Sequence, residues 1–294
     1  MDRFKGALVV GFLRLFALLP WPAVQAVGSA IGWLMWKLPN RSRDVVRINL
    51  SHCFPELSAQ ELDDLTRRSL RDNGRLLTES ACAWIWHPSK TLKLIESVEG
   101  IEIMQAALDS GKGVVGIASH FGNWEVLNHY YCSFCNPVIF YRPPKLAAID
   151  ELLRKQRTQM GNRVAPSTKE GILSIIKEVR RGGQVGIPAD PEPSRSAGHF
   201  VPFLGTEALV SKFVPNLLAG GKAVGFFINA IRQDNGRFKV VIEAAPEAMY
   251  GDDSEQGAAA MSEVLGRYVR QYPTQYLWSM KRFKNRPDGE KRWY

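Results

Sequence analysis

The chain has little cysteine: four residues in 294, scattered at positions 53, 82, 132 and 135. Such cysteines read as reduced thiols in a protein facing the cytosol. Cys132-x2-Cys135 has the spacing of half a metal or redox site. A structural zinc needs four ligands, and the sequence has no second C-x2-C or H-x3-H pair; His129 supplies a third ligand at best. No G-x-S-x-G occurs, so neither serine nor cysteine sits in a nucleophile elbow. Zinc-finger spacing, a basic helix interleaved with aromatics and an RNA-binding aromatic signature are all missing, which argues against a nucleic-acid partner. No A-x-A cleavage site follows a short apolar core convincingly, so no removable signal peptide is read. Internal repeats and low-complexity segments are also lacking.

What is present is a basic, apolar-rich chain. Thirty-eight Lys and Arg against 29 Asp and Glu leave a net charge of +9, and 45% of the residues are hydrophobic. That length and apolar content bury a sizeable core in one domain, or in one domain with a helical extension. The charge suits anionic partners such as lipid headgroups or phosphorylated substrates.

The N-terminus is apolar in two pieces. Phe4 to Leu19 is apolar apart from Lys5 and Arg14, and Trp21 to Trp36 is apolar apart from Gln25 and Ser29. The first piece is roughly 24 Å long as a helix, short of a bilayer core of about 30 Å. Arg14 would cost about 2.5–3.5 kcal/mol at mid-membrane. Pro20 and Pro22 break the run. Two short helices lying in or dipping through the interface are expected, although hydropathy alone also allows a transmembrane helix. Trp21, Trp33 and Trp36 read as interfacial anchors, followed by Lys37, Arg41, Arg43 and Arg47 on the cytoplasmic side. Residues 1–37 are thus expected as a membrane-anchoring helical segment, 38–284 as a folded domain, and 285–294 as a charged, mobile tail.

Ser58 and Glu61 form a capping box that opens a long helix, ended by His87-Pro88. From residue 98 the pattern alternates. Helices are expected near 101–110, 124–132, 146–159, 169–181, 208–220 and 253–271. Strands are expected at 114–118, 137–141, 163–165, 184–188, 223–232 and 237–244. Asp234-Asn235-Gly236 reads as a hairpin turn between the last two strands. An irregular loop is expected at 190–199. The fold class is therefore α/β: a mostly parallel sheet flanked by helices, with an antiparallel hairpin at its edge.

The densest chemistry lies in Ser119-His120-Phe121-Gly122-Asn123-Trp124-Glu125. The apolar run Val114–Ala118 precedes it, so a histidine and a carboxylate emerge where a strand ends and a helix begins, the place where ligands gather in open α/β sheets. Residues five apart do not share a helix face. His120 must therefore lie in the loop and Glu125 in the first turn of the helix if the two are to meet. A carboxylate that holds one imidazole nitrogen leaves the other free as a base. The backbone N–H groups of Gly122 and Asn123, at the helix start, are candidate anion donors. Tyr141 and Arg142 end the next strand and open on the same edge, where Arg142 has the donors to grip a phosphate or a carbonyl oxygen. Asp190 follows strand 184–188 in the same topological place. Arg163, near the start of its strand, is a weaker phosphate candidate, and His199 reads as a solvated loop residue.

This stretch resembles the H-x4-D/E motif of glycerolipid acyltransferases. Over nearly its whole length the chain resembles the lauroyl/myristoyl branch, the late acyltransferases of lipid A biosynthesis. Besides the motif, the resemblance rests on the apolar N-terminus, Arg47-Ile48-Asn49-Leu50, Glu79, Phe140-Tyr141-Arg142-Pro143, Arg180-Arg181-Gly182-Gly183, Pro188-Ala189-Asp190, Phe200–Gly205 and Tyr276–Lys284. Met280 departs from the histidine usual there, and Pro191-Glu192-Pro193 departs from the usual Gln/His-Asp-Pro/Tyr. The resemblance implies a bacterial inner-membrane enzyme on the cytoplasmic face. It would move a fatty acyl chain from acyl carrier protein to a hydroxyl of an anionic glycolipid, with His120 as base and Glu125 as its orienter. Gly122, Asn123, Tyr141, Arg142, Arg163 and Asp190 would bind substrate. A thioester donor requires no metal or organic cofactor. Without an activated nucleophile, transfer is expected to be direct. Another membrane lipid as acceptor, hydrolysis, or non-catalytic lipid binding remain open at this stage.

Overall fold

The computed structural model describes residues 2–144 and 146–294. Four helices open the chain: α1 (Asp2–Leu18), α2 (Trp21–Lys37), α3 (Arg41–Cys53) and α4 (Ala59–Ile85). Leu19 and Pro20 separate the first two, and Pro22 stands in the first turn of α2, where a missing N–H costs nothing. Each is 17 residues long, about 25 Å. No helix among the described residues is long and apolar enough to cross a membrane. The transmembrane expectation is thereby corrected.

α2 instead packs along α4. A Cβ on Gly28 would lie 2.6 Å from the Cα of Arg75, one on Gly32 2.3 Å from the Leu70 carbonyl, and one on Gly74 2.2 Å from the Gly28 carbonyl. Only glycine admits so close an approach of two backbones. The outer faces of α1 and α2 stay apolar and open: Leu8, Phe12, Leu15 and Leu18 of α1 and Trp33 and Leu34 of α2 are exposed, as is Leu38 just beyond. α4 begins as its sequence dictates, with the Ser58–Glu61 capping box formed.

The remaining elements alternate: α5 (Pro88–Leu92), β1 (Ile95–Glu99), α6 (Ile101–Asp109), β2 (Gly113–Ala118), α7 (Trp124–Cys132), β3 (Val138–Tyr141), α8 (Ala147–Thr158), β4 (Arg163–Pro166), α9 (Lys169–Arg180) and β5 (Gln184–Pro188). β6 (Gly198–Phe203), β7 (Thr206–Ser211), α10 (Phe213–Leu218), β8 (Ala223–Arg232), β9 (Phe238–Ala244) and α11 (Ser254–Gln271) complete the chain. Seven strands form one sheet in the order β1-β9-β8-β2-β5-β3-β4. All its pairs are parallel except β8–β9.

Three expectations need correction. The β8–β9 hairpin is internal, because β1 pairs in parallel with β9 and covers it; Ile-Glu-Ser-Val-Glu is too short and polar to announce itself as a strand. Residues 198–211 are an antiparallel hairpin, β6–β7, rather than a loop running into a helix at 208. Its Leu204-Gly205 turn puts both residues at positive φ, 50° and 85°, as a two-residue hairpin turn requires. The tail folds back on the domain: the Tyr294 hydroxyl donates to Asn49 Oδ1, and Trp293 stacks on His52 with ring centroids 3.5 Å apart.

The main core lies between β2, β5 and β8 on one side and α3, α11, the β6–β7 hairpin and the aromatic tail on the other. Phe121, Phe203, Tyr276, Trp278 and Phe283 are all buried there. Each such ring contributes about 1.5–3 kcal/mol on burial, so segments 119–122 and 276–283 are held rigidly together.

Candidate active site

The parallel register of β2 and β5 builds the site. Ala118 stands opposite Pro188, and the Ala189 N–H donates to the Ala118 carbonyl at 2.8 Å. The residues two further along each strand are His120 and Asp190. They therefore meet at the carboxyl edge of the sheet, although they are 70 apart in sequence. The Asp190 Oδ1 accepts from both the main-chain N–H and the ring Nδ1–H of His120, each at 3.0 Å. Because an ionised carboxylate only accepts, Nδ1 must carry a proton, so in the neutral imidazole Nε2 is the nitrogen with the free lone pair. The imidazole is 28% exposed while Asp190 is fully buried. The ring stands edge-on to Trp124, centroids 4.9 Å apart.

The electrostatics follow from this geometry. Burial pushes the His120 pKa down, but the charge and hydrogen bond of Asp190 outweigh it and hold the pKa above the usual histidine value. Burial likewise pushes Asp190 up, and the charges of His120 and Arg282 overcome it and hold the carboxyl low. Arg282 is buried, its Nη1 donating to the Leu209 carbonyl at 3.0 Å. The Tyr276 hydroxyl is buried too and pushed well up, first by burial and then by Asp190.

Glu125 sits elsewhere than the sequence suggests. Its carboxylate accepts from Arg157 Nη2 of α8 at 2.8 Å, and its hydrogen bond is with that arginine rather than with His120. The reason lies in α7: Glu125 and His129, one turn apart, form its buried face toward α4 and α8. His129 accepts from Gln156 at 3.0 Å, and burial pushes its pKa down to about 4. The Glu125–Arg157 pair still reaches His120 as two opposed charges.

The loop 119–123 is fastened on every side. Ser119 donates to Asn229 Oδ1 at 3.2 Å, and the Leu277 N–H to the His120 carbonyl at 2.9 Å. Gly122 has φ +59°, and a Cβ there would lie 2.0 Å from the Ala230 carbonyl. The Gly122 N–H donates to the Gln275 carbonyl at 3.0 Å and the Asn123 N–H to the Ala230 carbonyl at 2.9 Å. These two amides are therefore committed within the protein, which corrects the expectation that they face an anion. The Asn123 side chain caps α7, accepting from the Glu125 and Val126 N–H groups.

Tyr141 and Arg142 do end β3 on the same edge. Tyr141 is buried with its hydroxyl 3.4 Å from Asp150, under Arg154 and Arg157 at 5.6 and 5.8 Å from its ring; Arg142 is exposed. Arg163 stands opposite Val138 at the start of β3, the far end of the sheet from His120, and pairs with Glu178 at 2.7 Å. The structure does not bring it to the site. His199 lies in β6 and meets Ser254 Oγ at 2.9 Å. Burial pushes the thiols of Cys53, Cys82 and Cys132 up to about 12 and that of Cys135 to about 11. No group of three metal-ligating side chains forms among the described residues.

Sequence reasoning missed Arg157, Arg232 and Arg282. An isolated arginine on a polar helix, on an apolar strand or in a basic tail has no local signal. Asp190 as the histidine's partner was findable in principle: two parallel neighbours, each ending two residues before a polar group, set those groups side by side.

Fold and site together define an α/β protein that presents a histidine held by a buried carboxylate at the carboxyl edge of its sheet, with no activated thiol. Comparison with known proteins places it further. A model of the bacterial lipid A biosynthesis acyltransferase family matches residues 3–285, and the chain belongs to that family. It is 28% identical over 290 residues to the lipid A biosynthesis palmitoleoyltransferase of Escherichia coli K12, covering 97% of this chain and 92% of that one. It is 26% identical over 287 residues to the lauroyltransferase of the same strain, covering 96% and 92%. Its identity to the myristoyltransferase is 24% over 300 residues, covering 98% and 90%.

Proposed function

We propose that the protein transfers a fatty acyl chain from acyl carrier protein to a hydroxyl of a lipid A precursor, forming an acyloxyacyl ester. The observation that carries the chemistry is the partly exposed His120 ring with Nδ1 fixed on buried Asp190, which leaves Nε2 as the proton acceptor of the neutral imidazole. The names of the relatives carry the substrate class. The acceptor hydroxyl oxygen attacks the thioester carbonyl as its proton passes to Nε2. The tetrahedral intermediate then collapses, the C–S bond breaks, and the departing thiolate takes the proton back from the imidazolium. Asp190 is the orienter and counter-charge in this reading. Glu125 serves at one remove, fixing Arg157. Arg142, at the end of the neighbouring strand, supplies donors for the oxyanion or for an acceptor phosphate.

The exposed apolar side chains of α1 and α2 would lie in the interface of the inner membrane, facing the cytoplasm, with Lys37, Arg41 and Arg43 meeting anionic headgroups. The protein's charge of +9 suits both an acidic carrier protein and an anionic acceptor.

Mass spectrometry of lipid A from cells lacking the protein tests this. Restoring the wild-type chain should add one acyl mass, and restoring His120→Ala should not. Lipid A that is unchanged by loss of the protein, or fully acylated by H120A, would overturn the reading. Free fatty acid released from acyl carrier protein without ester formation would make the protein a hydrolase.

A further inference from the structure

Behind the catalytic loop lies a charged junction that the reaction does not touch. Glu79 of α4 is fully buried, and both its oxygens are saturated. Oε1 accepts from Arg232 Nε at 2.5 Å and from Gln25 Nε2 at 2.7 Å. Oε2 accepts from Arg232 Nη2 at 2.7 Å and from Asn123 Nδ2 at 2.8 Å. One carboxylate thus joins α2, α4, β8 and the loop that carries His120. Arg232 is held in turn: its main-chain N–H donates to Gln275 Oε1 at 2.8 Å, and its carbonyl accepts from Gln275 Nε2 at 2.8 Å.

A buried ion pair is a weak source of stability, because apolar side chains of equal volume serve as well or better. What it supplies here is direction. Asn123 has Oδ1 on the first amides of α7 and Nδ2 on Glu79, so its side chain has one orientation. That orientation sets the helix start three residues after His120 and two before Glu125. We propose that Glu79 is a positioning residue of the transfer reaction: through Asn123 it fixes where the catalytic loop ends and α7 begins. The proposal rests on the reading of His120 as the base.

Asn123→Ser separates this tether from the cap. Serine remains a good N-cap, and the Glu79–Arg232 pair stays intact, so the protein folds, but the bond to Glu79 is gone. A displacement of the order of 1 Å costs about 10²-fold in rate, so a fall in kcat of at least about tenfold is expected. KM for donor and acceptor should stay within about threefold, because binding groups are untouched. Glu79→Gln should behave alike. The double variant E79Q/N123D reverses the polarity of the bond: the amide introduced on α4 donates to a carboxylate that still caps α7, and most of kcat should return. A folded N123S with kcat within about twofold of wild type, a loss seen in KM instead, or a folded double variant no better than E79Q would each overturn the proposal. His120→Ala in the same assay separates the two failures. An active H120A removes the base; an active N123S beside an inactive H120A removes the positioning role alone.

Discussion

Asp190→Asn is the sharpest test of the site. In the native protein Asp190 Oδ1 takes two N–H donors from one residue, the ring and the main chain of His120, both at 3.0 Å. Asparagine keeps the volume and one acceptor oxygen but removes the charge. Two losses follow. In the proposed transfer, the imidazolium formed when Nε2 takes the acceptor's proton loses its buried counter-charge. The amide NH2, if turned toward the ring, also selects the tautomer with Nε2 protonated, which cannot act as a base. The equivalent change in a Ser-His-Asp triad costs about 10⁴-fold, and a general base contributes about 10²–10⁴-fold. A loss near 10³-fold is expected, about 4 kcal/mol of barrier.

The pH profile gives an independent reading. Asp190 holds the His120 pKa up against burial, so in D190N burial is left unopposed and the pKa falls. The acid limb of kcat/KM should move to lower pH while the plateau drops. NMR titration of His120, beside turnover with acyl carrier protein thioester, measures both. A D190N protein with turnover within about threefold of wild type and an unmoved limb would refute the assignment, and the same shift in Glu125→Gln instead would return the orienter's role to Glu125. Stability follows with definite sign. The raised His120 pKa stabilises below the unfolded histidine value and is lost as pH rises through the folded one. The lowered Asp190 pKa stabilises above the unfolded carboxyl value and is lost as pH falls through the folded one. The deficit of D190N in denaturant melts should therefore be largest between about pH 4 and 6.5 and smaller at pH 8.

Two further outcomes are expected. Alanine at Cys53, Cys82, Cys132 or Cys135 singly should leave turnover within about tenfold, and acyl donor alone should leave the protein mass unchanged, because thiols held near pKa 11–12 supply almost no thiolate at neutral pH; an adduct that forms with donor and discharges to acceptor at a competent rate would show a covalent route. Removing residues 1–37 also strips α4 of its partner, so F12S/L15S/L34S, which changes only exposed apolar side chains, is the better probe of attachment, and it should weaken flotation with anionic vesicles by at least about tenfold; unchanged flotation would show that the membrane face lies elsewhere.

Much of this protein is written locally. The Ser58–Glu61 capping box, the Pro20-Trp21-Pro22 break, the Asp234-Asn235-Gly236 turn and the buried runs of β2 and β5 each depend on neighbours in sequence, and each element forms where its residues dictate. The position of His120, at the end of a strand and the start of a helix, is local in the same sense. Its partner is not. H-x4-E suggests Glu125, but helix periodicity turns Glu125 into the α7–α8 interface, where Arg157 takes it. Asp190 reaches His120 only because β2 and β5 are neighbours in register, and register between parallel strands is fixed by crossovers and core packing rather than by either strand. The same holds for the committed amides of Gly122 and Asn123, for buried Arg232 and Arg282, and for the β6–β7 hairpin. The sequence alone determined that His120, Tyr141, Arg142 and Asp190 emerge on one edge of the sheet. The tertiary structure alone decided which carboxylate faces the imidazole, because a hydrogen bond between residues 70 apart exists only once the sheet has brought them within hydrogen-bonding reach.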